Sequence, residues 1–170
     1  QAVAYHEDIA DPQHPGLDTL LAPTSSFGKL FGDVAAQLAG AFAGVLAAHL
    51  MFGEPLLAVS THDRSGARQA FSELVATFGL VSVIFGCARR QPNAVPFAVG
   101  AWITAAYWFT ASTSFANPAV TLARAITNTF AGIRPQDTPL FLAAQLVGAM
   151  LATGLFRWLT GAPDPRKEAR

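Results

Sequence analysis

Polar residues along this chain are gathered into short islands, and long apolar runs lie between them. Residues 34–52 contain no Asp, Glu, Lys or Arg and stop at Gly53-Glu54-Pro55. Residues 69–88 carry a single charge, Glu73, and are closed by Arg89-Arg90. Residues 94–113 carry none, and residues 139–160 carry only Arg157, near their end. A helix rises 1.5 Å per residue, so about 20 residues cross the ~30 Å of a bilayer's hydrocarbon. A helix of a soluble bundle would show polar residues at helical spacing along one face, and these runs show no such face. The pattern predicts an all-α membrane protein with four spanning helices.

A fifth apolar stretch, Asn117–Ala131, is too short to cross. It opens on Asn117-Pro118-Ala119, which reads as a helix start. An Asn side chain accepts a bond from a free backbone N–H at the cap, and Pro suits the first helical position because its fixed φ is helical and its missing N–H would be unpaired there. Only Ser112–Ala116 separate this start from the preceding span, so the chain must turn back inside the membrane. Non-helical backbone at that depth persists only within protein or beside a water-filled cavity. A re-entrant half-helix over 117–131 is therefore expected.

Composition agrees with this picture and narrows the function. The 170 residues are 52% apolar and 13% charged, about half the charge of an ordinary soluble domain. The formal net charge is zero, so nothing points to nucleic acid as a partner. Cys87 is the single cysteine, and His6, His14, His49 and His62 are scattered, so no disulfide, metal site or cofactor is expected. No nucleophile–base pair is visible, which argues against an enzyme. Alternate connections hold Lys29, then Arg89 and Arg90, then Arg157, Arg166, Lys167 and Arg170, against Arg64, Arg68, Arg124 and Arg134 on the other side. This bias of basic residues places the carboxy terminus in the cytoplasm.

The first and last spans resemble each other. Val34–Ala41 (VAAQLAGA) aligns with Leu142–Ala149 (LAAQLVGA), sharing Gln37 and Gln145 among six matches in eight. With the charge bias, one copy runs outward and the other inward, the inverted repeat of many channels and transporters. A partner for Asn117-Pro118-Ala119 is then expected near Ala10–Gln13, which holds Pro12 but neither Asn nor the following Ala.

The segment Ser112-Thr-Ser-Phe-Ala-Asn-Pro-Ala-Val-Thr121, after one helix and opening a short one, resembles the second signature loop of the aquaporin (major intrinsic protein) family. Glu73, within Ser72–Gly79, resembles that family's glutamate in its fourth span. The likeness covers residues 33–160, with residues 1–32 a separate non-membrane segment and residues 161–170 a polar cytoplasmic tail. It implies part of an aquaporin-like right-handed helical bundle: four transmembrane helices and one re-entrant half-helix, without the family's first two spans and first half-helix. Family members usually carry Arg directly after Asn-Pro-Ala, where this chain has Val120. The resemblance is to a bacterial, glycerol-conducting branch with Val there, which implies a multi-pass protein of the bacterial inner membrane and a homotetramer when full-length.

The family pattern implies a passive channel for small uncharged solutes: water, glycerol and undissociated arsenite. Asn117, Pro118 and Ala119 would line it, backbone carbonyls of Ser114, Phe115 and Ala116 would accept hydrogen bonds from solute, and Ala105, Ser114 and Val120 would form a wide constriction. The positive end of the half-helix dipole would disfavour cations. Glu73 would support the loop by accepting its backbone N–H bonds. Arg124, two turns after Asn117 on a similar face, is a candidate for the pore mouth, or else a cation reaching the headgroups. The partners expected are the lipid bilayer and neutral solutes. Half of a coupled transporter, with Glu73 as its ionisable group, and a non-conducting membrane scaffold stand as the alternatives.

Overall fold

The computed structural model describes residues 27–160, and every regular element among them is helical. In chain order these are α1 (Phe27–Phe52), α2 (Ala67–Ala88), α3 (Val95–Phe109), α4 (Pro118–Ala123) and α5 (Thr138–Thr160), with 3-10 turns at Pro92–Ala94, Arg124–Ile126 and Pro135–Asp137. Two compact units divide between Ala36 and Gln37, a point inside α1. In the first unit, residues 27–36 form the opening turns of α1, so residues 27–32, expected to be outside the membrane domain, are helical. The expectations for residues 1–26, Ala10–Gln13 included, and for the tail 161–170 fall outside the described residues.

Among the described residues, three helices are long and apolar enough to cross a membrane: Gly28–Phe52, Ala67–Ala88 and Pro135–Thr160. The third of the four expected spans is shorter than its apolar run. α3 has 15 residues, and with the 3-10 turn before it the rod is about 28 Å long. Its start is delayed by Pro92 and Pro96, and its end is set by Thr110, whose backbone turns extended while its hydroxyl and N–H both donate to the Ala106 carbonyl. Residues 110–113, counted in the span by hydropathy alone, are loop. The half-helix is likewise shorter than expected: α4 ends at Ala123 and the 3-10 turn at Ile126. The carbonyls of Ala125 and Ile126 accept from Ser60 N and Ala58 N, so they are unavailable to continue a helix.

Within the second unit, α2 packs against both α3 and α5. Between helices in lipid there is little hydrophobic gain, and close contact needs small residues. Gly148 of α5 lies against the backbone of α2, where a Cβ would come within 2.6 Å of the Leu74 carbonyl. Gly79 of α2 lies under the Trp102 ring of α3, whose Nε1 donates to the Ala76 carbonyl at 3.0 Å. The outer surface is apolar, with Phe97, Trp108 and Trp158 more than three-quarters exposed. That is a surface suited to lipid, which solvates apolar side chains without cost.

Candidate functional site

The chain leaves α3 at Thr110 and enters α4 at Pro118 through a loop that three residues hold in the left-handed region: Thr113 at φ 57°, Ser114 at 47° and Ala116 at 47°. Left-handed backbone is costly for residues with a Cβ and persists where the surroundings over-determine it. Here they do. At the end of the loop Asn117 is extended, and its Oδ1 accepts from Ala119 N at 2.8 Å and Val120 N at 3.3 Å, capping α4. Its Nδ2 has no hydrogen-bond partner among the described residues and is free to donate.

Beneath the loop, Glu73 of α2 is completely buried. Its Oε2 accepts from Phe115 N at 3.2 Å, and its Oε1 accepts from Ala116 N and, at 2.7 Å, from Gln145 Nε2 of α5. The same amide donates to Thr121 Oγ1 of α4 at 2.8 Å, and the Thr121 hydroxyl donates to the Asn117 carbonyl at 2.9 Å. Burying a carboxylate costs several kcal/mol, and bonds to a charged group contribute about 1.5–3 kcal/mol each, so three donors are enough to offset it. One side chain from each of α2 and α5 thus fixes the left-handed turn and the start of α4.

The neck of the loop is held from another direction. Arg64, in the connection between α1 and α2, is 3% exposed. Its Nη1 donates to the Ser112 carbonyl at 2.9 Å, Nη2 to Phe130 at 2.8 Å and Nε to Gly132 at 2.7 Å. Its guanidinium lies 4.9 Å from the Phe115 ring centre, and that of Arg124 lies 4.3 Å from the same ring. Burial pushes the Arg64 guanidinium below its ordinary value and the Arg124 charge adds to this, while the Glu73 carboxylate opposes it. An Arg starts so high that it stays charged. The Arg64 N–H donates to Asp137 Oδ2 at 2.8 Å, and Arg134 pairs with both Asp137 and Asp63.

The residues expected to line a passage divide into two groups. Asn117 and Val120 are half-buried and Ala105 and Pro118 exposed, whereas Ser114, Phe115, Ala116 and Ala119 are buried. The Phe115 ring joins Phe141 and Ile133 in a small core, 5.2 Å from Phe141, so only its backbone remains available to a solute. Val120 and Arg124, one turn apart, share the wall of a cavity of about 520 Å³ with Ala48 and His49 of α1, Thr127 and Thr129. Arg124 Nη1 is buried without a partner there. His49 is fixed by Leu56 O at 2.9 Å and Thr127 Oγ1 at 2.7 Å. Of the repeat's two glutamines, Gln145 is buried in the Glu73 network and Gln37 is exposed. Sequence reasoning counted Arg64 only as a loop charge; its three acceptors lie 48 to 68 residues away, and no local signal announces them. No three His, Cys, Asp or Glu side chains gather as a metal site among the described residues.

Comparison with known proteins adds three findings. Residues 90–169 match the profile of the family described as Major intrinsic protein. The chain is similar to a protein named aquaglyceroporin AqpS from Rhizobium meliloti (strain 1021), 60% identical over 132 residues, a stretch that is 78% of this chain and 57% of that protein. The chain therefore spans little more than half the length of the curated relative it matches. No solved structure matches it.

Proposed function

We propose that the chain is part of a member of the major intrinsic protein family, whose profile residues 90–169 match, and that it forms part of a passive transmembrane channel for water and glycerol, with undissociated arsenite a further solute to test. It is a multi-pass membrane protein. The observation that carries the channel reading is the capped, left-handed turn at Ala116–Asn117, tied to Glu73 and Gln145, with the Asn117 amide unpartnered among the described residues. A fixed N–H donor beside carbonyls on strained backbone can exchange hydrogen bonds with a neutral hydroxylated solute as it passes. No proton transfer or covalent step is involved, and the Asn117 amide with the neighbouring carbonyls offsets part of the solute's desolvation.

Val120 stands at the constriction in this reading, with Ala105 and Ser114 beside it. Small and apolar groups there leave room for a three-carbon polyol. The similar protein's name, an aquaglyceroporin, supports glycerol as a solute. We further propose a bacterial inner-membrane location with the carboxy terminus cytoplasmic, from the distribution of Lys and Arg, and a homotetramer for the full-length protein.

Stopped-flow shrinkage of vesicles containing the full-length protein tests the proposal. Glycerol and water flux above protein-free vesicles, unaffected by collapsing proton and sodium gradients, is the expected result. Flux that stops when a gradient is collapsed identifies a coupled carrier instead, and no flux in any condition leaves a scaffold.

A further inference from the structure

We propose that Arg64 is the positioning residue that closes the neck of the Asn117 loop, and that the width of the solute path depends on this closure. The inference rests on the channel reading above and names a determinant of that same site. Ser112 lies where the chain enters the loop, and Phe130 and Gly132 lie where it returns after α4. One guanidinium takes a carbonyl from the entering strand and two from the returning one, at 2.7–2.9 Å. The planar fork of Arg presents its N–H groups in fixed directions, so three acceptors are held at set angles by a single rigid group. A Lys in its place carries the charge on a flexible stem and has no such fork.

Two features separate this tie from ordinary loop packing. The Arg64 backbone is anchored independently, its N–H donating to Asp137 Oδ2, so losing the side chain leaves the connection between α1 and α2 in place. The guanidinium also lies over the Phe115 ring, while Phe115 N donates to Glu73 from the opposite end of the residue. Phe115 therefore sits between two clamps. Ser114 and Ala116, its neighbours, are the left-handed residues whose carbonyls the channel reading places along the path. Releasing one clamp frees those carbonyls to turn toward ordinary backbone conformations.

The test uses the full-length protein in lipid vesicles, with Arg64→Lys and Arg64→Met. Hydrogen exchange of the amides at residues 113–117 is expected to rise at least tenfold in both variants, with rates in α2 and α5 unchanged. Glycerol permeability per inserted protein is expected to fall at least fivefold, and the ratio of glycerol to erythritol permeability to change at least twofold. Wild-type exchange at 113–117 in the Lys variant overturns the proposal, since a point charge then suffices. Faster exchange throughout α2 and α5 with unchanged permeability per inserted protein also overturns it, because Arg64 then serves stability alone. Looser exchange at the loop with an unchanged solute ratio rejects the link to path width. If the Met variant does not insert, the Lys variant decides. If wild-type protein passes no glycerol, the channel reading fails, and exchange alone decides whether Arg64 closes the neck.

Discussion

Glu73 is the residue on which most of the site converges. Its two oxygens serve two backbone N–H groups and one amide. Glu73→Ala leaves those donors buried and unpaired, at about 1–3 kcal/mol each, and is expected to abolish solute flux and lower the thermal stability of the purified protein. Glu73→Gln keeps one acceptor oxygen but turns an NH2 toward a backbone N–H; flux per inserted protein is expected to drop at least tenfold. Wild-type flux in the Gln variant would remove the carboxylate from the account. At Val120 the expected result is one of size: Val120→Arg loses glycerol flux before water flux, and unchanged glycerol permeability rejects the constriction there. What the sequence revealed at this scale was local chemistry. Asn117 and Pro118 announce themselves because a cap and a first-turn proline act on neighbours two or three positions away. Arg64 does not, because its partners are brought to it only by the fold.

Among the elements, α2 is the support and its two neighbours approach it through glycine. A Cβ on Gly148 would lie 2.6 Å from the Leu74 carbonyl and 3.1 Å from Phe78 N, both backbone atoms that cannot swing aside. Gly148→Val is expected to force α5 away from α2, costing about 1–3 kcal/mol and pulling Gln145 off Glu73. Gly154→Val, with nothing within 4 Å of the position of its Cβ, is the matched control. Melting followed by light scattering in detergent checks both, and equal losses would show that the α2–α5 contact is not the cause. Apolar run length located α2, α5 and the end of α1, where charge or turn residues close them, but not the start of α1, which lies at Phe27 with Lys29 and Asp33 inside the helix. It overran α3 and α4, because hydropathy does not register that Thr110 caps a helix or that Ser60 and Ala58 take the carbonyls of Ala125 and Ile126. The connection itself carries a titratable tie. Asp63 is held below the usual carboxylate range, first by Ser65 and then by Arg134. A depressed carboxyl stabilises above its unfolded value and loses that contribution as the pH falls through its folded one. The Ser65 amide shift is therefore expected to titrate below the ordinary Asp value of about 3.9, and a midpoint at or above it removes the tie.

In the whole molecule Asn117 is half-buried and Pro118 exposed, and the Asn117 amide has no hydrogen-bond partner among the described residues. Vesicles containing only these 170 residues are expected to shrink at the background rate in glycerol, whereas the full-length protein shrinks faster; conduction by the chain alone would mean that the path is walled by other copies of it. One further consequence follows from the order in which the ties are made. The left-handed turn is fastened by Glu73, synthesised before it, and braced through Gln145, which is synthesised after it. While the ribosome is still within α5, the turn has its first fastening and lacks its second. A nascent chain stalled before residue 145 has emerged is then expected to leave a cysteine placed at Thr121, the fully buried partner of Gln145, open to a water-soluble thiol reagent, and the released chain to shield it. Biogenesis of the site, on these contacts, ends with the last helix.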